Sequence, residues 1–315
     1  MNTNNWKKSL NDFGQQGTPC LFIIDYKGEN GQVFPLSELP SDIQFSFLEE
    51  KKADATPIAI EKHPVAYPEF EKAFNKVHSH LKNGDTELVN LTFATEISAV
   101  SLPEVYRNAS AKYKILYKND WVCFSPEIFV KIEDNLIKTY PMKGTISATI
   151  PDAEATLLHN EKEIDEHHKV VRLLSDDLQK VATNVHTTRF RYVDVIKKST
   201  GDLLQTSSEI VGELPANWQE HLGDLLAAML PAGSIAGAPK EKSVAVIDEA
   251  ETYERGFYTG IAGVFDGKTV DSFVLIRFIE RIGDRYFYKS GAGITAQSKP
   301  LNEYNEIIEK IYIPI

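Results

Sequence analysis

A carboxylate and an amine stand at the two ends of one β-type stretch. Ser125-Pro126-Glu127 opens it, and Pro141-Met142-Lys143-Gly144-Thr145 closes it. Between them Ile128, Val130 and Ile132 alternate with other residues, Asp134-Asn135 forms a polar break, and Leu136 and Ile137 follow. This pattern predicts a β-hairpin. A hairpin returns its ends to one place, so Glu127 and Lys143 are expected to face a common site. A general acid beside a nucleophilic amine is a catalytic pairing; a surface salt bridge across the hairpin is the plainer alternative.

Pro231-Ala232-Gly233-Ser234-Ile235-Ala236-Gly237-Ala238-Pro239-Lys240 is a small-residue loop that opens a helix with proline near its first turn. Such loops expose backbone N–H groups and aim a helix N-terminus at an anion. The spacing of glycines and lysine excludes a Walker A loop, and a plain helix-entry turn is the alternative. Gly291-Ala292-Gly293 reads as a second, shorter glycine loop. Arg277 lies in the otherwise apolar Val274-Leu275-Ile276-Arg277-Phe278-Ile279 and needs an anionic partner, from the protein or from a substrate.

Glu166 is in line with Val170 and Leu173 on a helical pattern and is expected to point inward, while Glu303 and Glu306 are i, i+3 neighbours near the start of the last helix. Carboxylates on two helices with no cysteine cluster suit Mg2+; a solvated helix face is the alternative. His167-His168 beside Asp165 hints at an E-x-x-H metal helix, but no second copy exists and the hint is discounted. Together these residues predict an enzyme site for a small polycarboxylate.

The elements that must position them are mixed. Cys20–Tyr26 reads as a buried strand, and the charged, proline-bearing residues 49–69 read as a linker. Helices are predicted at 69–81, 162–182, 218–230 and 302–312, with a further one after the 231–240 loop. Strands are predicted at 87–94, 114–124, from about 189, and at 258–265, 271–280 and 285–290. Strand runs and helices do not alternate strictly, so the fold class is α+β.

The chain has 315 residues, room for one large domain or two. Its net charge of −11 argues against nucleic acid as the main partner, though a pocket can be locally basic. Cys20 and Cys123 form neither metal spacing nor a disulfide framework, which suits a reducing cytoplasm. No signal core and no membrane-spanning run is present, so a cytoplasmic protein with no membrane partner is expected.

In this order the segments resemble the chorismate-utilising enzymes, and among them the aminodeoxychorismate synthase branch. Pro231–Lys240 resembles the family's P-G-G-S-x-T-G-A-P-K. Glu254-Arg255-Gly256-Phe257-Tyr258-Thr259-Gly260 resembles its R-G-x-Y-x-G. Ile276-Arg277, Gly291-Ala292-Gly293 and Glu303-Tyr304-Asn305-Glu306 match I-R, G-x-G and E-Y-x-E. Gly84-Asp85 through Asn90-Leu91-Thr92 resembles G-D-x-x-x-x-N-L-T, and Glu166 sits where the family has E-N-x-M-I-V-D-L. The resemblance covers roughly residues 65–315, the expected catalytic domain, with 1–64 a short N-terminal segment integrated with it. It implies two packed, largely antiparallel sheets sandwiched by helices.

The resemblance also implies roles. Lys143, in a P-x-K-G-T context, marks the aminodeoxychorismate branch, where anthranilate and isochorismate members carry alanine. Lys143 would attack chorismate while Glu127 protonates the departing hydroxyl. Gly144, Thr145, Ser234, Ile235, Gly237, Lys240, Tyr258, Arg277, Gly291, Ala292 and Gly293 would bind substrate. Glu166, Glu303 and Glu306 would hold Mg2+. A glutamine amidotransferase subunit would supply ammonia for 4-amino-4-deoxychorismate and folate synthesis. Alternatives are an anthranilate synthase component I or other chorismate enzyme, and a non-catalytic chorismate-binding subunit.

Several positions depart from the pattern. Leu88 stands where relatives carry Gln or a water-activating Lys, Gln205 replaces a histidine, and Ala236 replaces a threonine. Arg172, Ser175 and Asp176 replace charged or polar residues on a helix that lies near the amidotransferase contact in the family. The N-terminal region is shorter than in long relatives, so their tryptophan pocket is expected to be missing or incomplete.

Overall fold

In the strand Cys20–Ile24 every residue is buried, yet neighbours go to different cores. Cys20, Phe22 and Ile24 join a cluster with helix residues Leu10, Val170, Leu174 and Leu222, whereas Leu21 and Ile23 join Tyr113, Trp121, Phe273 and Phe278. The period-2 pleat thus sends one apolar run into two layers, which is why it reads as continuous rather than alternating. The computed structural model describes residues 5–47, 58–196 and 202–314, so residues 49–57 of the expected linker 49–69 lie outside the described residues, while its remainder carries the strand Lys62–His63 and the start of the helix Tyr67–Lys82.

Among the described residues two sheets result, and every pairing in them is antiparallel. The first runs Met142–Ser147, Leu203–Glu213, Leu136–Thr139, Ile128–Glu133, Val270–Val274, Ile261–Phe265, Cys20–Ile24, Gly31–Pro35, with Thr183–Ile196 also paired to Leu203–Glu213. The second runs Gly237–Ala238, Leu88–Ile97, Arg285–Ile294, Phe278–Ile282, Trp121–Ser125, Tyr113–Tyr117, Ile43–Ser46, with Lys62–His63 beside Leu88–Ile97. They pack on each other through an aromatic layer in which Tyr113 and Phe273 stack at 4.9 Å. Helices Trp6–Gln16, Glu161–Gln179 and Leu222–Met229 cover the first sheet. Helices Tyr67–Lys82, Lys240–Ala250 and Pro300–Glu309 cover the second. The α+β sandwich expected from the sequence is the one formed.

The hairpin Ile128–Thr139 forms as predicted. Asp134 and Asn135 take left-handed φ of 51° and 59°, the two-residue turn whose twist suits a tight hairpin. Tyr67–Lys82 buries Phe70, Phe74, Val77 and Leu81 on one face. Asn160 caps Glu161–Gln179 by accepting from the Glu163 N–H.

Three predicted elements are corrected. Residues 114–124 are a hairpin of two strands, Tyr113–Tyr117 and Trp121–Ser125. The run 271–280 is also two strands, and they belong to different sheets: Val270–Val274 in the first, Phe278–Ile282 in the second. The chain crosses between sheets at Leu275–Arg277, where Arg277 has φ 56°. Finally, Gly291-Ala292-Gly293 is no loop; it is the end of the strand Arg285–Ile294, paired with Asn90, Leu91 and Thr92. The loop 231–240 holds a short helix Gly233–Ala236 and a bridge Gly237–Ala238 before the next helix starts at Lys240.

Candidate active site

The strand carrying Lys143 leaves the hairpin and pairs with Leu203–Glu213 instead. Met142 faces Ser207 and Lys143 faces Thr206, but Thr145 faces Gln205, so Gly144 is an extra residue in the ladder. Its φ is +79°, and a β-carbon there would meet Glu163 Oε2 and Leu157 Cδ1 at 3.1 Å. The bulge therefore needs glycine, and it re-aims the neighbouring side chain. Thr206 Oγ1 donates to the Lys143 carbonyl and fixes the backbone. Lys143 then enters a cavity of about 650 Å³ lined by residues of both sheets. Its Nζ lies 3.7 Å from where a β-carbon on Gly293 would stand, next to Leu88 Cδ1 at 3.2 Å from the same point.

Glu127 lines the same cavity. Its N–H donates to Ser125 Oγ at 3.1 Å and its carbonyl accepts from the Val274 N–H at 3.0 Å. Burial pushes its carboxyl above the usual range; a hydrogen bond with Ser234 and the charges of Lys143 and Lys310 oppose that. Glu127 is thus biased toward the protonated form that a general acid requires.

Arg277 is also on the wall, and among the described residues it forms no ion pair with a protein carboxylate. Nη1 donates to the Lys310 carbonyl at 2.8 Å, and the guanidinium lies 4.7 Å from the centre of the Tyr312 ring. Further N–H groups are left for a ligand anion.

Glu166, Glu303 and Glu306 line the cavity, as do Glu163 and Glu309. Among the described residues, seven carboxylates and four cationic side chains border it. Lys310 pairs with Glu306 at 2.7 Å. Among the described residues no three His, Cys, Asp or Glu side chains converge to make a ready metal cage. Mg2+ binds through one or two carboxylates and keeps waters and ligand oxygens. The carboxylates on this wall, all oxygen donors, fit that mode.

The sequence pattern defining the chorismate binding enzymes matches residues 37–315. This chain belongs to the chorismate binding enzymes. An uncharacterized PabA-like protein of Haemophilus influenzae is 47% identical to it, over 98% of this chain and 96% of that protein. An aminodeoxychorismate synthase component 1 of Bacillus subtilis is 32% identical over 77% of this chain but only 54% of its own length. The structure of an anthranilate synthase component I from Streptococcus pneumoniae superposes with TM-score 0.68 at 28% identity, covering 83% of this chain and 60% of that one.

In this chorismate binding enzyme the cavity gathers most of the predicted residues: Lys143, Glu127, Gly144, Thr145, Ser234, Ile235, Tyr258, Arg277, Gly291, Gly293 and the three glutamates. Three are placed elsewhere. Lys240 pairs with Asp177 and donates to the Met229 carbonyl at 2.9 Å; Asp177 in turn accepts from the Gly233 N–H at 3.1 Å. Lys240 is a latch holding the 231–240 loop on the helix Glu161–Gln179, and burial lowers its pKa to about 8 against the pull of Asp177. Gly237 pairs with Val89, and a β-carbon there would strike the Leu88 carbonyl oxygen at 2.1 Å. Ala292 alternates away from Gly291 and Gly293 into the helix-side core.

The start of the helix Lys240–Ala250 is not among the residues that line the cavity, although the partners of Lys240, Asp177 and Met229, are. Sequence reasoning missed Glu163, Lys310, Tyr288 and Asn90, all on the wall. Helical spacing was an available signal for two: Glu163 is three residues before Glu166, and Lys310 is four after Glu306.

Arg255 explains the R-G-F-Y-T-G block. It is buried and forms a bidentate pair with Glu251, at 2.9 and 2.7 Å. It also donates to the carbonyls of Ile235 at 2.9 Å and Asn90 at 2.7 Å, both cavity-lining residues. Glu251 accepts from the Thr92 N–H and hydroxyl, each at 2.8 Å. The buried charge is therefore compensated on all sides, and it ties the loop at Ile235 to the strand at Asn90.

Proposed function

We propose that this chain is an aminodeoxychorismate synthase component I, converting chorismate and ammonia to 4-amino-4-deoxychorismate. The observation that carries this reading is Lys143: an amine aimed by a glycine bulge into the cavity that holds Glu127. Burial raises the pKa of Glu127, against the pull of Ser234, Lys143 and Lys310, in the direction a general acid needs. Leu88, whose side chain ends near the same Gly293 position as the Lys143 amine, carries no group that could activate water. The Bacillus subtilis relative bearing that activity's name supports it.

In this reading Arg277 and Lys310 hold substrate carboxylates. The Lys143 amine forms a C–N bond at ring carbon 2, both conjugated ring double bonds shift by one position so that the electron pair reaches carbon 4, and the bond from carbon 4 to its hydroxyl breaks. Glu127 gives that oxygen a proton, so it leaves as water. Ammonia then bonds to carbon 4, both double bonds shift back, and the Lys143 nitrogen departs as an amine. Glu127, now a carboxylate, takes the proton that the incoming nitrogen sheds. One difficult substitution is divided into two easier ones. Glu166 and Glu306, with Glu303 alongside, would hold Mg2+, which supplies positive charge to the substrate carboxylate when bound. Ammonia would come from glutamine through an amidotransferase subunit, component II.

The test is purified protein with chorismate, Mg2+ and ammonium, the product being identified by mass and chromatography. Aminodeoxychorismate is expected. Anthranilate or isochorismate as the product overturns the reading, and so does unconsumed chorismate in the presence of the amidotransferase and glutamine.

A further inference from the structure

The segment 310–314 is pinned beside Arg277. Ile311 and Ile313 are buried in a core with Leu116, Val122 and Tyr288. The Pro314 carbonyl accepts from the Ser110 N–H at 2.8 Å, and the Tyr312 carbonyl accepts from the Tyr288 hydroxyl at 2.9 Å. Lys310, the C-cap of the helix Pro300–Glu309, and the partly exposed Tyr312 lie outside that core. Lys310 reaches the cavity wall, and the Tyr312 ring lies under the Arg277 guanidinium, 4.7 Å from ring centre to Cζ. Arg277 also donates to the Lys310 carbonyl at 2.8 Å and is hydrogen-bonded to the Tyr288 hydroxyl. Among the described residues, the hydrogen bonds and the ring contact of the guanidinium come from this segment or from Tyr288, which pins it. Tyr312 is 38% exposed, so its ring is not a core filler.

We propose that Tyr312 is a positioning residue: its ring fixes the plane of the Arg277 guanidinium so that the remaining N–H groups meet a carboxylate of the substrate. The proposal rests on the reading that Arg277 binds a chorismate carboxylate. A long cationic side chain ordered beforehand loses less freedom on binding. The ring face supplies that order by cation–π attraction, and the carbonyl of Lys310 sets the edge. Because Arg277 grips a group that does not react, the benefit falls equally on ground and transition states, and it shows in KM rather than in kcat.

The experiment compares Tyr312→Leu and Tyr312→Phe by calorimetric titration with chorismate and Mg2+, by steady-state kinetics and by thermal melting. Tyr312→Leu is expected to raise Kd and KM about threefold to fivefold, the size of a half-exposed cation–π contact. Its kcat and melting temperature should stay near wild type. Tyr312→Phe keeps the ring and should restore both constants. In an Arg277→Met background, Tyr312→Leu should add nothing. Wild-type affinity in Tyr312→Leu, equal impairment in Tyr312→Phe, or a full additional loss in the Arg277→Met background each overturns the proposal. If the wild type binds chorismate but yields a different product, the functional reading fails while the titrations still decide the role of Tyr312.

Discussion

Lys143 and Gly293 face each other from the two sheets, with the lysine Nζ 3.7 Å from the place a β-carbon on Gly293 would occupy. The glycine keeps open the space into which the amine extends. Gly293→Ala should fold, since its nearest new contact is the end of a flexible leucine at 3.2 Å. Gly293→Val should displace the amine and cut turnover at least about tenfold, with a stability loss of about 1–2 kcal/mol from overpacking. Turnover and denaturant midpoints measured together check this; a fully active valine variant would show that the lysine does not use that space.

Lys143 is half-buried and belongs to no core cluster, so Lys143→Ala should keep the wild-type melting temperature. It should still bind chorismate, while aminodeoxychorismate formation falls by orders of magnitude. Wild type given chorismate without ammonia should show an adduct on the peptide bearing Lys143 by mass spectrometry. A nearly fully active alanine variant, with no adduct trapped, would rule out the covalent route.

Glu127 acts as an acid only while protonated, and burial raises its pKa. Activity should hold on the acid side and fall as pH climbs through that raised value. Ser234 favours the charged carboxylate through its hydrogen bond. Ser234→Ala should therefore raise the pKa further and move the alkaline limb of the kcat profile to higher pH. The profile is measured at fixed free-ammonia concentration; a limb that stays put or moves to lower pH contradicts the assignment.

The carboxylate-rich wall makes a metal requirement testable. EDTA should abolish turnover and added Mg2+ should restore it. Glu306→Gln should raise the Mg2+ concentration needed for half-maximal rate. Full activity in metal-free buffer would exclude the role given to Glu166 and Glu306.

His167 is fully buried, with Nε2 on Ser208 Oγ at 2.7 Å. Burial, aided by the nearby Arg191 charge, lowers its pKa from 6.5 to about 4. The unfolded chain therefore binds a proton between these values that the folded chain refuses. Stability is full above about pH 6.5 and is lost as pH falls toward 4, by roughly 2 kcal/mol between pH 7 and pH 5 from this group. Denaturant titrations at both pH values should show that slope, and His167→Gln should flatten it. An unchanged slope in the variant would assign the acid sensitivity to other groups.

Local patterns determined a good part of this protein. Alternation and a two-residue polar turn specify the Ile128–Thr139 hairpin, and 3.6-residue periodicity specifies Tyr67–Lys82 and Glu161–Gln179, because these depend on neighbours a few positions away. Residue types likewise marked Lys143, Glu127, Arg277 and the glutamates, all of which reach one cavity. Tertiary structure decided the rest. The uniformly apolar run around Arg277 carries no phase when both faces are buried, so only packing shows that it leaves one sheet for the other. Lys240 has the charge of an anion holder, but Asp177 on a distant helix claims it. Ala292 shares a glycine motif, yet the pleat turns it into the core. The aim of Lys143 itself comes from its bulged pairing with Leu203–Glu213, a strand far along the chain. Charge and periodicity are properties of a segment, whereas partner and direction are set by what that segment packs against.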